Sequence, residues 1–135
     1  MIFKYAALIL ISIVILAISI SGCELYTNSE KEIPQGTLSV SELSDNPAYD
    51  TELKIYGEVS LLGELFCSCF ELNSGGKRIQ VWYALMVEDD GRQRPPVSIE
   101  GIDNGDEVIV TGELKTSGKY RSLNDFWASN IEKVK

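Results

Sequence analysis

Glu52-Leu53-Lys54-Ile55-Tyr56-Gly57-Glu58-Val59 and Glu107-Val108-Ile109-Val110-Thr111-Gly112-Glu113-Leu114 are one phrase written twice in the same chain. Both read Glu, apolar, any, apolar, any, Gly, Glu, apolar. The apolar positions recur every second residue, the period of a strand with one face buried. In each copy the glycine falls at the inward parity. A glycine in mid-strand marks a bulge, a sharp bend or a close backbone approach. Two long strands, each bent at a central glycine, are what a small sheet needs at its corners if it is to close on itself.

Working outward, alternation predicts a second strand over 66–72 and a third over 79–85. Between them Asn73-Ser74-Gly75-Gly76 is a strong turn signal, so these two form a hairpin. The second copy of the phrase gives a fourth strand over 108–114. A fifth is expected over 130–134, with Ile131 as its firmest inward residue. Before the first strand, Ser39-Val40-Ser41-Glu42 has the spacing of a capping box, and Asn46-Pro47 stops the helix it opens. One or two helical turns are therefore expected over 40–45. The stretch 86–106 is rich in charge, Gly and Pro, and a turn or short helix is expected around 97–102.

Several phrases in this stretch point to a family. They are Asn46-Pro47-Ala48-Tyr49-Asp50, Ile55-Tyr56-Gly57-Glu58-Val59, the Gly75-Gly76 hairpin, Asn104-Gly105-Asp106-Glu107-Val108-Ile109-Val110-Thr111-Gly112-Glu113-Leu114 and Ser117-Gly118-Lys119-Tyr120. Together the run 40–134 resembles OB-fold domains of the tRNA-anti-like nucleic-acid-binding type. The resemblance implies an all-β fold: a small five-stranded Greek-key barrel with a short N-terminal helix, occupying 37–135. Another small antiparallel barrel or sandwich is the alternative. The chain departs from the family pattern in two ways, since the segment after the third strand is Pro-rich rather than helical, and the body is acidic.

OB-folds bind ligands on the outer face of the second and third strands, helped by the loop between the fourth and fifth. Parity assigns that face. With Phe66, Phe70 and Leu72 inward, Cys67 and Cys69 point out; with Ile79 and Val81 inward, Gln80 and Trp82 point out; with Ile55 inward, Tyr56 points out. The candidate ligand-binding residues are Tyr56, Gln80 and Trp82, joined by Lys115, Lys119, Tyr120 and Arg121 from the fourth–fifth loop. Trp82 is either an exposed stacking platform or covered by the segment 86–106.

The amino terminus carries an address. Lys4 is followed by an uncharged run over 5–23 rich in Ile, Leu and Ala, ending Ile20-Ser21-Gly22-Cys23. A charged start, an apolar middle and small residues at the cut define a secretory signal. Cysteine directly after the small pair resembles the lipobox of prokaryotic lipoproteins. That resemblance implies a signal peptide over 1–22, removed, and a diacylglyceryl group on the thiol of Cys23, palmitate-type chains that anchor the protein to the membrane facing away from the cytoplasm. The alternative is an uncleaved helix of about 28 Å, long enough to span a bilayer core. Residues 23–36 read as the lipidated Cys and a flexible tether.

Composition bounds the rest. The 135 residues carry 12 Lys and Arg against 20 Asp and Glu, a net charge of −8, and no His. A histidine-based acid–base pair or triad is excluded. The negative charge disfavours nucleic acid as a partner, although Lys115, Lys119 and Arg121 lie where a modest positive patch would form. No phosphate-cradling or dinucleotide-binding fingerprint occurs, and no carboxylates pair as acid and base, so no cofactor and no enzymatic activity are expected. An unidentified protein, glycan or small molecule remains as the ligand.

Cys67-Ser68-Cys69 is the sharpest chemical feature. Residues two apart on an extended strand place their Cα atoms about 6.6 Å apart, at the long edge of disulfide geometry, so a bridge requires a local bulge. Three readings stand: a disulfide, two free thiols, or a redox or metal-handling pair. Metal binding is the weakest, because two thiolates need two further ligands and histidine is lacking.

Overall fold

The computed structural model describes residues 32–115 and 125–134. The segment Ile33–Lys135 forms one compact unit. Its described residues are predominantly strand: β1 (Leu38–Ser39), β2 (Glu52–Ser60), β3 (Cys69–Ser74), β4 (Lys77–Trp82), β5 (Met86–Val87), β6 (Gln93–Arg94), β7 (Glu107–Lys115) and β8 (Asp125–Lys133). One helix, α1 (Val40–Asp45), lies among them. The fold is all-β, as expected.

The duplicated phrase explains the centre of the sheet. Its two copies pair with each other: β2 and β7 run antiparallel, with Leu53 opposite Gly112, Ile55 opposite Val110 and Gly57 opposite Val108. From β2 the pairings continue antiparallel to β3, from β3 antiparallel to β4, from β4 parallel to β8, and from β8 antiparallel to β7, which returns to β2. The turn Asn104-Gly105 extends the β2–β7 ladder, with Gly105 N donating to Val59 O (2.8 Å) and Val59 N to Asp106 O (2.9 Å).

Both mid-strand glycines are required by close approach. A Cβ on Gly57 would lie 2.6 Å from the carbonyl oxygen of Asn73. One on Gly112 would overlap the carbonyl oxygen of Trp127, and the β7–β8 register shifts between Thr111 and Gly112. Backbone packed this tightly leaves no room for a side chain.

The inward residues are Ile55, Val59, Phe70, Leu72, Ile79, Val81, Val108, Val110, Leu114, Phe126 and Ala128, closed at one end by Val40 and Leu43 of α1. The capping box forms as its spacing predicts: Ser39 Oγ accepts from Glu42 N (3.0 Å) and Glu42 Oε2 from Ser39 N (2.7 Å). Asn46 caps the other end. Ser74 ties the helix to the sheet, its Oγ accepting from Val40 N (2.8 Å) and donating to Tyr56 O (2.6 Å).

Several boundaries move. The hairpin is built by β3 and β4, but β3 begins at Cys69 rather than Phe66, and β4 runs from Lys77 to Trp82 rather than over 79–85. Phe66 is not inward: it is fully exposed, because the chain over 61–68 leaves the sheet in turns before β3 starts. The last strand begins at Asp125 rather than at residue 130. Phe126 and Ala128 are its buried residues, while Ile131 is half-buried against the core. The segment 86–106 holds a two-strand ladder, β5–β6, that alternation does not reveal, and a turn closed by Ile102 N to Ile99 O (3.1 Å) rather than a helix.

Candidate functional site

The outward face of four neighbouring strands carries two rows of cross-strand neighbours. In the first, Cys69 on β3 faces Trp82 on β4, Trp82 faces Trp127 on β8, and Trp127 faces Glu113 on β7. In the second, Glu71 faces Gln80, Gln80 faces Asp125, and Asp125 faces Lys115. Between the rows Phe70, Val81, Phe126 and Leu114 turn the other way, into the core. Period-two alternation on four strands in register therefore gathers Cys69, Trp82, Trp127, Gln80 and Lys115 on one side.

The structure places the expected residues unequally. Gln80 and Trp82 are on this face and half-buried. Gln80 Nε2 donates to the sulfurs of Cys69 (3.0 Å) and Cys67 (3.4 Å). The indole Nε1 of Trp82 is buried, with no acceptor among the described residues. Tyr56 is not an open surface ring. It lies outside the core cluster, as parity requires, yet is only 5% exposed. Burial, and then the charge of Glu58, raise its phenol pKa. Cys69 is likewise off the core cluster but fully buried, so outward parity does not bring it to solvent, whereas Cys67 is half-buried. Lys119, Tyr120 and Arg121 lie outside the described residues, as do Cys23 and the segment 1–22.

Lys115 is committed within the protein. Its side chain is 10% exposed, and its Nζ contacts Glu88 (2.9 Å), Glu113 (3.3 Å) and Asp50 (3.3 Å) while lying 4.9 Å from the Trp127 ring centroid. Arg94 completes the cluster by pairing with Glu88 Oε1 (2.7 Å) and with Glu113. Burial pushes the Glu88 carboxyl up, but hydrogen bonds from Arg94 and Lys115, reinforced by their charges, outweigh it and hold the group below its ordinary range. The cluster fastens β5 and β6 to the outward face of β7, so part of the charge-rich segment 86–106 lies against the end of the site where Lys115 was expected to contribute to a positive patch.

The cysteines form a disulfide, with Cα atoms 5.2 Å apart. This is closer than extended backbone allows, because Cys67 belongs to the turns before β3 and only Cys69 to the strand. No group of three or more metal-ligating side chains occurs among the described residues.

Sequence reasoning missed Trp127, Glu88, Arg94 and Glu113. Trp127 was hidden by starting the last strand too late, since Phe126-Trp127-Ala128 is an apolar run without the period-two alternation that marks a strand. Glu88 and Arg94 had no local signal, since charged residues in a Pro-rich segment read as solvated, and Glu113 stood in the duplicated phrase only as an outward carboxylate.

Neither a protein-family model nor a curated protein matches the chain. The residues themselves define an all-β domain with a tryptophan-bearing outward sheet face, a disulfide at one edge of that face and a charge cluster at the other.

Proposed function

We propose that the chain is a lipid-anchored extracytoplasmic OB-fold module that binds a partner on the β3–β4 face and is not an enzyme. The observation that carries the fold reading is the order of pairings. Five long strands connect β2–β3–β4–β8–β7 and return to β2, with β4 and β8 parallel and every other pair antiparallel. A five-stranded Greek-key barrel with a short helix at one end has this connectivity. The glycines at Gly57 and Gly112 supply the close approaches that such closure requires.

The binding reading is supported by Gln80, Trp82 and Trp127 on one outward face. Two half-buried indole rings beside an amide side chain suit a sugar polymer, a protein or a small ring compound. Nucleic acid is the weaker partner, because the chain is acidic and Lys115 is neutralised by carboxylates.

Two measurements test this. Protein extracted from membranes is expected to begin at Cys23 and to carry a diacylglyceryl mass; a mature species retaining residues 1–22 overturns the lipid anchor. Isotope-labelled protein titrated with solubilised cell-envelope polysaccharide, and separately with a dT oligonucleotide at low salt, is expected to show amide shifts at Gln80, Trp82 and Trp127 with the first and none with the second. Shifts confined to other faces, or with the oligonucleotide alone, overturn the assignment of face or partner.

A further inference from the structure

We infer that the Cys67–Cys69 disulfide is a thiol-exchange site, at which Cys67 is the sulfur attacked by an external dithiol and Cys69 the sulfur that leaves. The inference does not depend on the barrel, the anchor or the binding face.

The bridge is poorly explained as a staple. It closes a loop of two residues' separation, so it removes little freedom from the unfolded chain. The backbone on both sides is already held without it. Cys69 is in register opposite Trp82, and the carbonyl of the intervening Ser68 accepts Tyr83 N at 3.0 Å. The preceding turns are fixed by Asn104, whose Oδ1 accepts from Leu62 N (2.8 Å) and whose Nδ2 donates to Leu62 O (3.2 Å).

The surroundings instead separate the two sulfurs by role. Cys67 is half-buried and follows Phe66, a fully exposed aromatic ring that gives an incoming protein an apolar foothold. Cys69 is fully buried, out of reach of a direct attacker. Gln80 Nε2 donates to both sulfurs, at the shorter distance to Cys69. A hydrogen bond to sulfur stabilises the thiolate more than the disulfide, so the donor sits where negative charge appears when Cys69 leaves.

The exchange balances with the disulfide as oxidant and an external dithiol as reductant. A thiolate of the dithiol attacks Cys67 Sγ and forms a mixed disulfide. The Cys67–Cys69 bond breaks and its electron pair leaves on Cys69 Sγ. The second thiolate of the dithiol then attacks its own sulfur in the mixed disulfide and releases Cys67 as thiolate. The dithiol ends as a disulfide, and Cys67 and Cys69 end reduced, taking protons from water.

The test uses the full chain, oxidised, in a series of glutathione redox buffers. Acid quenching, alkylation and peptide-resolved mass spectrometry distinguish Cys67 and Cys69 from Cys23. The pair is expected to open within the series. Cys69→Ser is expected to collect glutathione on Cys67, and Gln80→Leu to slow opening by about five-fold, the size of one lost hydrogen bond, with an unchanged circular dichroism spectrum. Should Cys69→Ser fail to fold, an acid-quenched and alkylated time course of reduction of the wild-type protein reads the same point, with an intermediate that carries glutathione on Cys67 and the alkyl group on Cys69. A bridge that stays closed across the series, glutathione adducts on Cys69, or an opening rate indifferent to Gln80→Leu overturns the proposal.

Discussion

Lys115 Nζ lies 2.9 Å from Glu88 Oε2, joining the last residue of β7 to a residue just after β5. This contact fastens a long, irregular segment onto a regular sheet. Glu88 and Glu113 each take both cations of the cluster, Lys115 and Arg94, so charge balance is shared rather than pairwise. Removing one member leaves the others uncompensated at a site with little water access.

Lys115→Met is accordingly expected to destabilise the domain by about 2–3 kcal/mol, because Glu88, Glu113 and Asp50 lose their shared cation while Arg94 compensates in part. Denaturant unfolding followed by tryptophan fluorescence measures it. A loss below about 0.5 kcal/mol, the scale of an exposed pair, would show the cluster to be solvated.

The same cluster sets a pH dependence. Glu88 has a carboxyl pKa held below its ordinary value in the folded protein. A carboxyl depressed on folding contributes stability that is present above its unfolded pKa, about 4.3, and is lost as pH falls through the lower folded value. Stability is therefore expected to fall steeply below about pH 4 in the wild type and less steeply in Glu88→Gln. Equal slopes in unfolding curves taken between neutral and acid pH would refute the assignment to Glu88.

Gly57→Ala and Gly112→Ala are each expected to cost about 2 kcal/mol or more, since in both the new methyl meets backbone rather than a mobile side chain. Gly76→Ala serves as the comparison. Its Cβ would enter open space and only its φ of +77° opposes the change, so about 1 kcal/mol is expected. The order of melting temperatures, with Gly76→Ala highest, is the readout.

Ser74→Ala removes one hydroxyl that serves two partners. Val40 N loses its acceptor and Tyr56 O its donor. A loss of about 1–3 kcal/mol is expected, with faster amide exchange at Val40 while β7 and β8 keep their protection.

Replacing both cysteines by alanine tests how little the bridge contributes to the fold. A loop this short accounts for about 1.5 kcal/mol of unfolded-chain entropy. A much larger loss in chemical unfolding would mark the disulfide as a structural staple.

The fold was largely legible because its two decisive strands are local patterns. Period-two alternation, a glycine at inward parity and the capping box at Ser39 each follow from residues within one turn or strand of each other, and each is found in the structure. Phe66 was misread for the opposite reason. Phe66 shares the parity of Phe70 and Leu72, and the one local sign that the chain leaves the sheet before Cys69 is Ser68, a polar residue at that same inward parity.

The candidate site was legible in part. Parity alone put Gln80, Trp82 and Cys69 on one face, since side chains on a strand have only two directions to choose between. Whether a residue on that face meets solvent is another matter, set by what the chain lays over it. Tyr56 and Cys69 are buried there, and Lys115 is enclosed by Glu88, Glu113 and Asp50, brought from distant positions. The sequence by itself determined the two long glycine-bent strands, their inward faces and the capped helix before them, because these depend on short-range sterics and on the sign of hydrophobicity at each position. Only the tertiary structure decided which outward residues are covered, which charges neutralise one another and which two strands lie side by side, because those depend on contacts between segments whose separation along the chain hides their proximity.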